Sequence, residues 1–238
     1  MFLSLILPLI VCFLPMIIFF FCLWLGAKIS PLRLLVTCLL GLVAIFPTSL
    51  IQFGVSYISQ LNDFLRNYVY IPEINYHSLV YLFATSIFVY GLIEEVNKCF
   101  FMIFLPKRDL DNLRLLFLGM MFGLTLGCFE SCIYYLDHLQ LANSRGAEIL
   151  YSQIFVRIFT ADIIHLTCAG IGCLFVAKIQ NRFRFSYIIT IVVIHGLYDF
   201  FAGFTNKLYW FIIPILLLSC LECRIKYKNL CDSEEKQD

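Results

Sequence analysis

Charge is what this chain has least of. Charged residues make up 14% of its 238 positions against a hydrophobic share of 61%, and the mean hydropathy is +0.89, whereas a soluble domain carries about a quarter of its residues charged. That deficit excludes an ordinary soluble fold. A net charge of +1 and a pI near 7.5 provide no basic face for a polyanion, so nucleic acid is excluded as a partner. No Lys or Arg precedes the apolar stretch from Phe2 to Leu25, so it lacks the basic start of a cleaved signal and is expected to remain as a span. Neither GxSxG nor HExxH occurs, which argues against a serine nucleophile elbow and a zincin helix. The eleven cysteines are scattered through apolar segments and the C-terminal end and form no disulfide framework. The CxxC spacing of Cys220 and Cys223 has no partner pair and reads as small residues in a helix. No internal repeat or low-complexity run is present.

What the chain does have is apolar length. A hydrocarbon core about 30 Å thick needs about 20 apolar residues in a helix, and seven segments meet or approach that length: 2–25, 34–58, 77–105, 115–137, 154–177, 185–203 and the shorter 209–222. The expected fold is an all-α, polytopic transmembrane helix bundle of about seven spans. It forms a single domain over 1–225, with a polar-motif core at 77–203 and a short cytoplasmic tail at 226–238. Lys28, Arg33, Lys107, Arg108, Arg114, Lys178, Arg182, Arg184, Arg224, Lys226, Lys228 and Lys236 fall on one side of the alternating loops, and only Arg66, Arg145 and Lys207 on the other. Because Lys and Arg accumulate in cytoplasmic loops, the N-terminus is expected outside and the C-terminus in the cytoplasm. Tyr68, Tyr70, Tyr76 and Tyr151 suit an outer interfacial belt, and His77 and His138 read as solvated histidines at the same interface.

Against this background the intramembrane ions stand out. Glu94, Glu95 and Lys98 lie on the third span, Glu130 on the fourth, Arg157, Asp162 and His165 on the fifth, and His195 and Asp199 on the sixth. A charged residue at a helix centre costs roughly 2.5–3.5 kcal/mol, so several together would rival a domain stability of about 5–15 kcal/mol unless they face one another. Glu94 with Lys98, Glu130 with Tyr134, and His195 with Asp199 are each four residues apart and share a helix face, so three helices each point a polar pair inward. Arg157 and Asp162 are expected to form a structural pair. Gly119, Gly123 and Gly127 repeat at the four-residue interval that lets helix backbones approach closely.

Four motifs carry a resemblance: GLIEEVNK, GCFESCIYY, His165 followed by Gly170, and HGLYDF. In that order and spacing, over roughly 77–203, they resemble the PrsW family of intramembrane proteases. The family is related by pattern to the CAAX prenyl proteases and to the anterior-pharynx-defective subunit of gamma-secretase. The resemblance matches Glu94 and Glu95 to the family's paired glutamates, His165 and His195 to its histidines, Asp199 to the acid of HxxxD, and Lys98 and Glu130 to further motif positions. It implies an intramembrane endopeptidase acting on a membrane-anchored protein substrate, as in regulated intramembrane proteolysis, in the plasma membrane of a bacterium.

Peptide hydrolysis needs an activated water, stabilisation of the oxyanion and a proton for the leaving amine. Glu94, Glu95, Glu130, His165, His195 and Asp199 are the candidate catalytic groups, with Lys98 in support and Glu95 favoured over Glu94 as base. In a metal-dependent version, His165, His195 and either Glu130 or Asp199 hold a divalent ion such as zinc. In a metal-free version the glutamate activates water directly, and the histidines stabilise the oxyanion or donate a proton. Two other functions use the same residues: a non-catalytic scaffold or assembly subunit, in which the polar cluster locks helices together, and a proton- or cation-coupled transporter. The absence of an inverted repeat disfavours the transporter.

Overall fold

The computed structural model describes residues 2–66, 79–145, 147–177 and 185–234. The expectations on Tyr68, Tyr70, Tyr76, His77, Lys178, Arg182, Arg184 and Lys236 lie outside them, and the side chain of His138 is likewise not described. A backbone in hydrocarbon must satisfy its own N–H and C=O groups, and every regular element among the described residues is helical. Helix α1 covers Phe2–Leu25, α2 Pro31–Arg66, α3 Leu79–Thr85, α4 Leu92–Met102, α5 Asn112–Arg145, α6 Ala147–Phe159, α7 Ala161–Ala177, α8 Phe185–Ala202 and α9 Ile212–Glu234. Seven spans are long and apolar enough to cross a membrane: Leu7–Leu25, Pro31–Gly54, Leu79–Met102, Asn112–Leu136, Tyr151–Ala177, Phe185–Ala202 and Lys207–Asp232. The fold class is therefore the one the sequence predicts.

Three spans are less regular than the apolar pattern suggests. A π-helical turn, Ser86–Gly91, separates α3 from α4 just before the paired glutamates, a placement π turns often take beside functional groups. The fifth span breaks at Thr160, between α6 and α7. Neither Pro nor Gly causes that break. The Thr160 hydroxyl donates to the Val156 carbonyl at 2.7 Å, a back-bond that bends helices. The seventh span is longer than the expected 209–222, because α9 runs on to Glu234 through most of what reads as a tail. Cys223 and Leu230 are buried against the bundle, and the Tyr187 hydroxyl of α8 donates to the Lys226 carbonyl at 2.9 Å.

Helices α5 and α7 form the centre. On one side Leu23, Leu34, Met102, Met121, Phe122 and Leu126 knit them to α1, α2 and α4. On the other, Ile164, Cys168, Ile171, Ile191, Ile194 and Ile215 pack α7 against α8 and α9. The outer faces expose residues such as Leu35, Phe46, Phe88, Phe104, Ile189 and Leu217, the surface that lipid covers. The glycine stripe on α5 sets the α5–α7 distance: a Cβ on Gly123 would collide with the His165 carbonyl and the Ala169 Cβ, and one on Gly127 would lie 3.0 Å from His165 Cδ2. A second close approach joins the π turn to α8, where a Cβ on Gly196 would sit 2.7 Å from the Ile87 Cα and 2.8 Å from the Ser86 carbonyl oxygen.

Candidate active site

These two glycine contacts bring four helices to one point. Gly127 admits the His165 ring beside α5, and Gly196 sets His195 beside the paired glutamates of α4. The His165 and His195 rings then meet edge to face, their centroids 5.1 Å apart. His195 Nδ1 lies 2.5 Å from Glu95 Oε1 and His165 Nε2 lies 2.7 Å from Glu130 Oε2. Lys98 donates to Glu95 Oε1 at 2.7 Å, contacts Glu94 Oε1 at 2.9 Å, and lies 2.9 Å from His165 Nδ1.

With the carboxylates ionised and the imidazoles neutral, donor and acceptor counting assigns the tautomers. An ammonium only donates and a carboxylate only accepts, so His165 Nδ1 accepts from Lys98 and its Nε2–H donates to Glu130. His195 Nδ1–H donates to Glu95, which leaves the Nε2 lone pair of His195 facing Glu94 Oε1 at 3.7 Å and Asp199 Oδ2 at 3.6 Å. Lys98 offsets the charge of two buried carboxylates, since a lone ion here would cost several kcal/mol.

The five carboxylates of the region differ in setting. Glu95 is wholly buried, held between Lys98 and His195, and takes no part in lining the cavity. That position removes the reason for preferring it over Glu94 as the group that meets a water. Glu94, Glu130 and Asp199 all line a polar cavity of about 420 Å³ that His165, His195, Arg157 and three tyrosines, Tyr90, Tyr134 and Tyr198, complete. Glu130 is engaged by Arg157 Nη2 at 3.1 Å. Arg157 therefore pairs with Glu130 instead of forming the structural pair with Asp162 expected from sequence: five residues apart, the two diverge by about 140° around a helix, and the chain breaks between them at Thr160. Asp162 instead accepts from Ser131 Oγ at 3.2 Å and Cys128 Sγ at 3.7 Å, apart from the catalytic candidates.

One group has the character of a metal site. Glu94, His165 and His195 each offer a ligand atom, all within 4.8 Å of one another, and Glu94 Oε1 is buried without an oriented hydrogen bond although it sits beside Lys98. His165 Nδ1 is 3.2 Å from that oxygen. Bonds of about 2.0–2.1 Å to a tetrahedral ion put ligands roughly 3.3 Å apart; the 3.2 Å to His165 matches that spacing and the 3.7 Å to His195 Nε2 is slightly wider. Each histidine gives its other N–H to a carboxylate, the arrangement that orients imidazole ligands. Of the two carboxylates expected beside the histidines, Glu130 is engaged by Arg157 and by the far nitrogen of His165, and Asp199 Oδ2 lies 3.6 Å from His195 Nε2.

Residues 30–221 match the PrsW family of intramembrane metalloproteases. The chain belongs to this family. Comparison with curated proteins and with solved structures gives no match. As a PrsW-family member it is an integral membrane protein and an intramembrane protease, and its glutamate–histidine group suits the metal-dependent chemistry of that family.

Sequence reasoning missed several members of the PrsW site. Gln52 of α2, Tyr90 of the π turn and Tyr198 of α8 line the cavity. Tyr198 stands three residues after His195 and so shares its face, a legible signal; Tyr90 depends on the π turn and is not legible. Asn97 donates to the Ala44 carbonyl at 2.8 Å and lies 2.6 Å from Thr48 Oγ1, which ties α4 to α2 behind the glutamates.

Proposed function

We propose that this protein hydrolyses a peptide bond of a membrane-anchored protein inside the bilayer, with Glu94, His165 and His195 holding a divalent metal and Asp199 taking the proton from the attacking water. The carrying observation is the convergence of two histidines and Glu94 on one polar cavity, with both imidazoles backed by carboxylates. When bound there, a metal such as zinc supplies Lewis-acid activation of water and of the scissile carbonyl.

The residues of the chain do the rest. Glu95 and Glu130 fix the rings of His195 and His165, so that His195 Nε2 and His165 Nδ1 face Glu94; His165 Nδ1 then ligates the metal in place of its contact with Lys98. Lys98 holds Glu94 and Glu95 in position by charge. Asp199 lines the cavity 3.6 Å from His195 Nε2 and, unlike Glu130, has no Arg or Lys partner among the described residues, which suits a group that must accept and return a proton. The apolar sheath around the bundle excludes bulk water and strengthens each of these interactions. The orientation read from the basic loops puts the N-terminus outside, and regulated release of a membrane-tethered signalling protein in a bacterial plasma membrane is the physiological setting that fits.

The test is cleavage of single-span protein substrates by the purified protein in detergent, with and without chelator. Wild-type cleavage that chelator abolishes and divalent metal restores is the expected result. Cleavage unchanged by thorough metal removal would overturn the metal assignment, and a folded wild type that cuts nothing in a broad panel would overturn the protease reading.

A further inference from the structure

A second cavity, of about 410 Å³, adjoins the catalytic one, and the two share Tyr134, Arg157, Tyr198 and Ala202 as a common wall. Their chemistry differs. The catalytic cavity is lined by three carboxylates, Glu94, Glu130 and Asp199. Among the described residues the second cavity has one ion, Arg157, amid neutral groups that include Gln153, Thr205 and Tyr209. Arg157 thus faces carboxylates on its catalytic side and, among the described lining residues, none on the side of the second cavity.

Arg157 is built to receive it. Its guanidinium lies 4.0 Å from the centroid of the Tyr134 ring, which fixes its plane. Its side-on edge is occupied, Nε donating to Ser131 Oγ at 3.2 Å and Nη2 pairing with Glu130 at 3.1 Å. Nη1 has no acceptor among the described residues, so the end-on edge remains for a carboxylate, the geometry in which Arg recognises one. The contacts from Arg157 to Glu130 and from Glu130 to His165, 3.1 and 2.7 Å, keep the guanidinium within roughly 6 Å of the His165 ring, which is about two residues of extended chain at about 3.3–3.6 Å each.

We propose that the second cavity is a substrate subsite in which Arg157 binds a carboxylate carried within about two residues of the scissile bond. This rests on the protease reading above. The carboxylate belongs either to an Asp or Glu side chain or to the C-terminus of the substrate. Bound there, it anchors the chain and sets which bond enters the catalytic cavity.

The experiment uses the full-length protein in detergent and single-span substrates with randomised residues at both ends of the span, with products read by mass spectrometry. Matched Asp and Asn substrates, with free or amidated C-termini, follow. The expected result is enrichment of Asp or Glu at one position next to the cut, with the Asp substrate favoured over Asn in kcat/KM by about tenfold or more. If the carboxylate is the chain terminus, amidation and not the Asn exchange removes the preference. In Arg157→Gln the preference ratio falls to near one, and Arg157→Lys, which keeps the charge without the fork, gives an intermediate ratio. Because the ratio is internal to each variant, a lower overall activity from the loss of the Glu130 partner does not obscure it, and the wild-type ratio stands even where a variant fails to fold. Cleavage with no acidic preference and no effect of amidation overturns the subsite while leaving the protease reading intact, as does a preference that Arg157→Gln leaves unchanged. Absence of cleavage from every substrate overturns both.

Discussion

The division of labour among neighbouring carboxylates makes the sharpest predictions. Asp199→Asn is expected to retain bound metal yet lose cleavage by about a hundredfold to ten-thousandfold, the usual worth of a general base; metal analysis beside a cleavage assay checks both halves. Glu95→Gln keeps a hydrogen-bond acceptor for His195 but weakens the ligand's backing, so metal affinity should fall by about 10- to 100-fold without being abolished, as read by competition with a chromogenic chelator. Lys98→Met leaves two buried carboxylates facing each other and is expected to destabilise the fold by about 3–5 kcal/mol, with part of that cost recovered in the Lys98→Met, Glu95→Gln double variant; thermal unfolding in detergent measures the cycle. At this scale the groups that the structure brings together were legible in the sequence, but not the setting of each. Glu94 and Glu95 are adjacent, about 100° apart around a helix, and nothing in their own segment says which one meets the cavity. The choice is made by His195, which Gly196 brings into contact with Glu95.

Among the helices, the glycines decide where the site can form. Alanine at Gly123 would meet the His165 carbonyl and Ala169 Cβ, whereas at Gly54 of α2 nothing lies within 4 Å of the added carbon. The same substitution should therefore act in opposite directions. Gly123→Ala is expected to cost about 1–3 kcal/mol through overpacking and to weaken metal binding by displacing His165. Gly54→Ala should stabilise by about 0.5–1 kcal/mol through helix propensity. Comparative thermal unfolding with a metal titration checks the pair. The four-residue glycine spacing on α5 was legible in the sequence and so was the packing it produces. The π turn was not, because Ser86–Gly91 reads as one more apolar run. The break at Thr160 was equally hidden, since the same hydroxyl bond to the carbonyl one turn back is made by Thr125 inside the unbroken α5.

The bundle as a whole reads as a lipid-covered shell around a central polar cluster, an arrangement tolerable because Lys98 and Arg157 offset Glu94, Glu95 and Glu130, and Asp199 opens onto the polar cavity. The seven spans were legible from length and composition. Their packing order was not, because it depends on contacts between segments far apart in the chain, such as α4 against α8. The most direct test of the central claim is metal stoichiometry, by elemental analysis, of folded wild type beside Glu94→Gln, His165→Ala and His195→Ala, with proteolysis measured on the same samples. The account predicts about one equivalent in the wild type, loss of metal and cleavage together in all three variants, and a fold that persists. Variants that keep the metal, or a metal-free wild type that still cleaves, would contradict it.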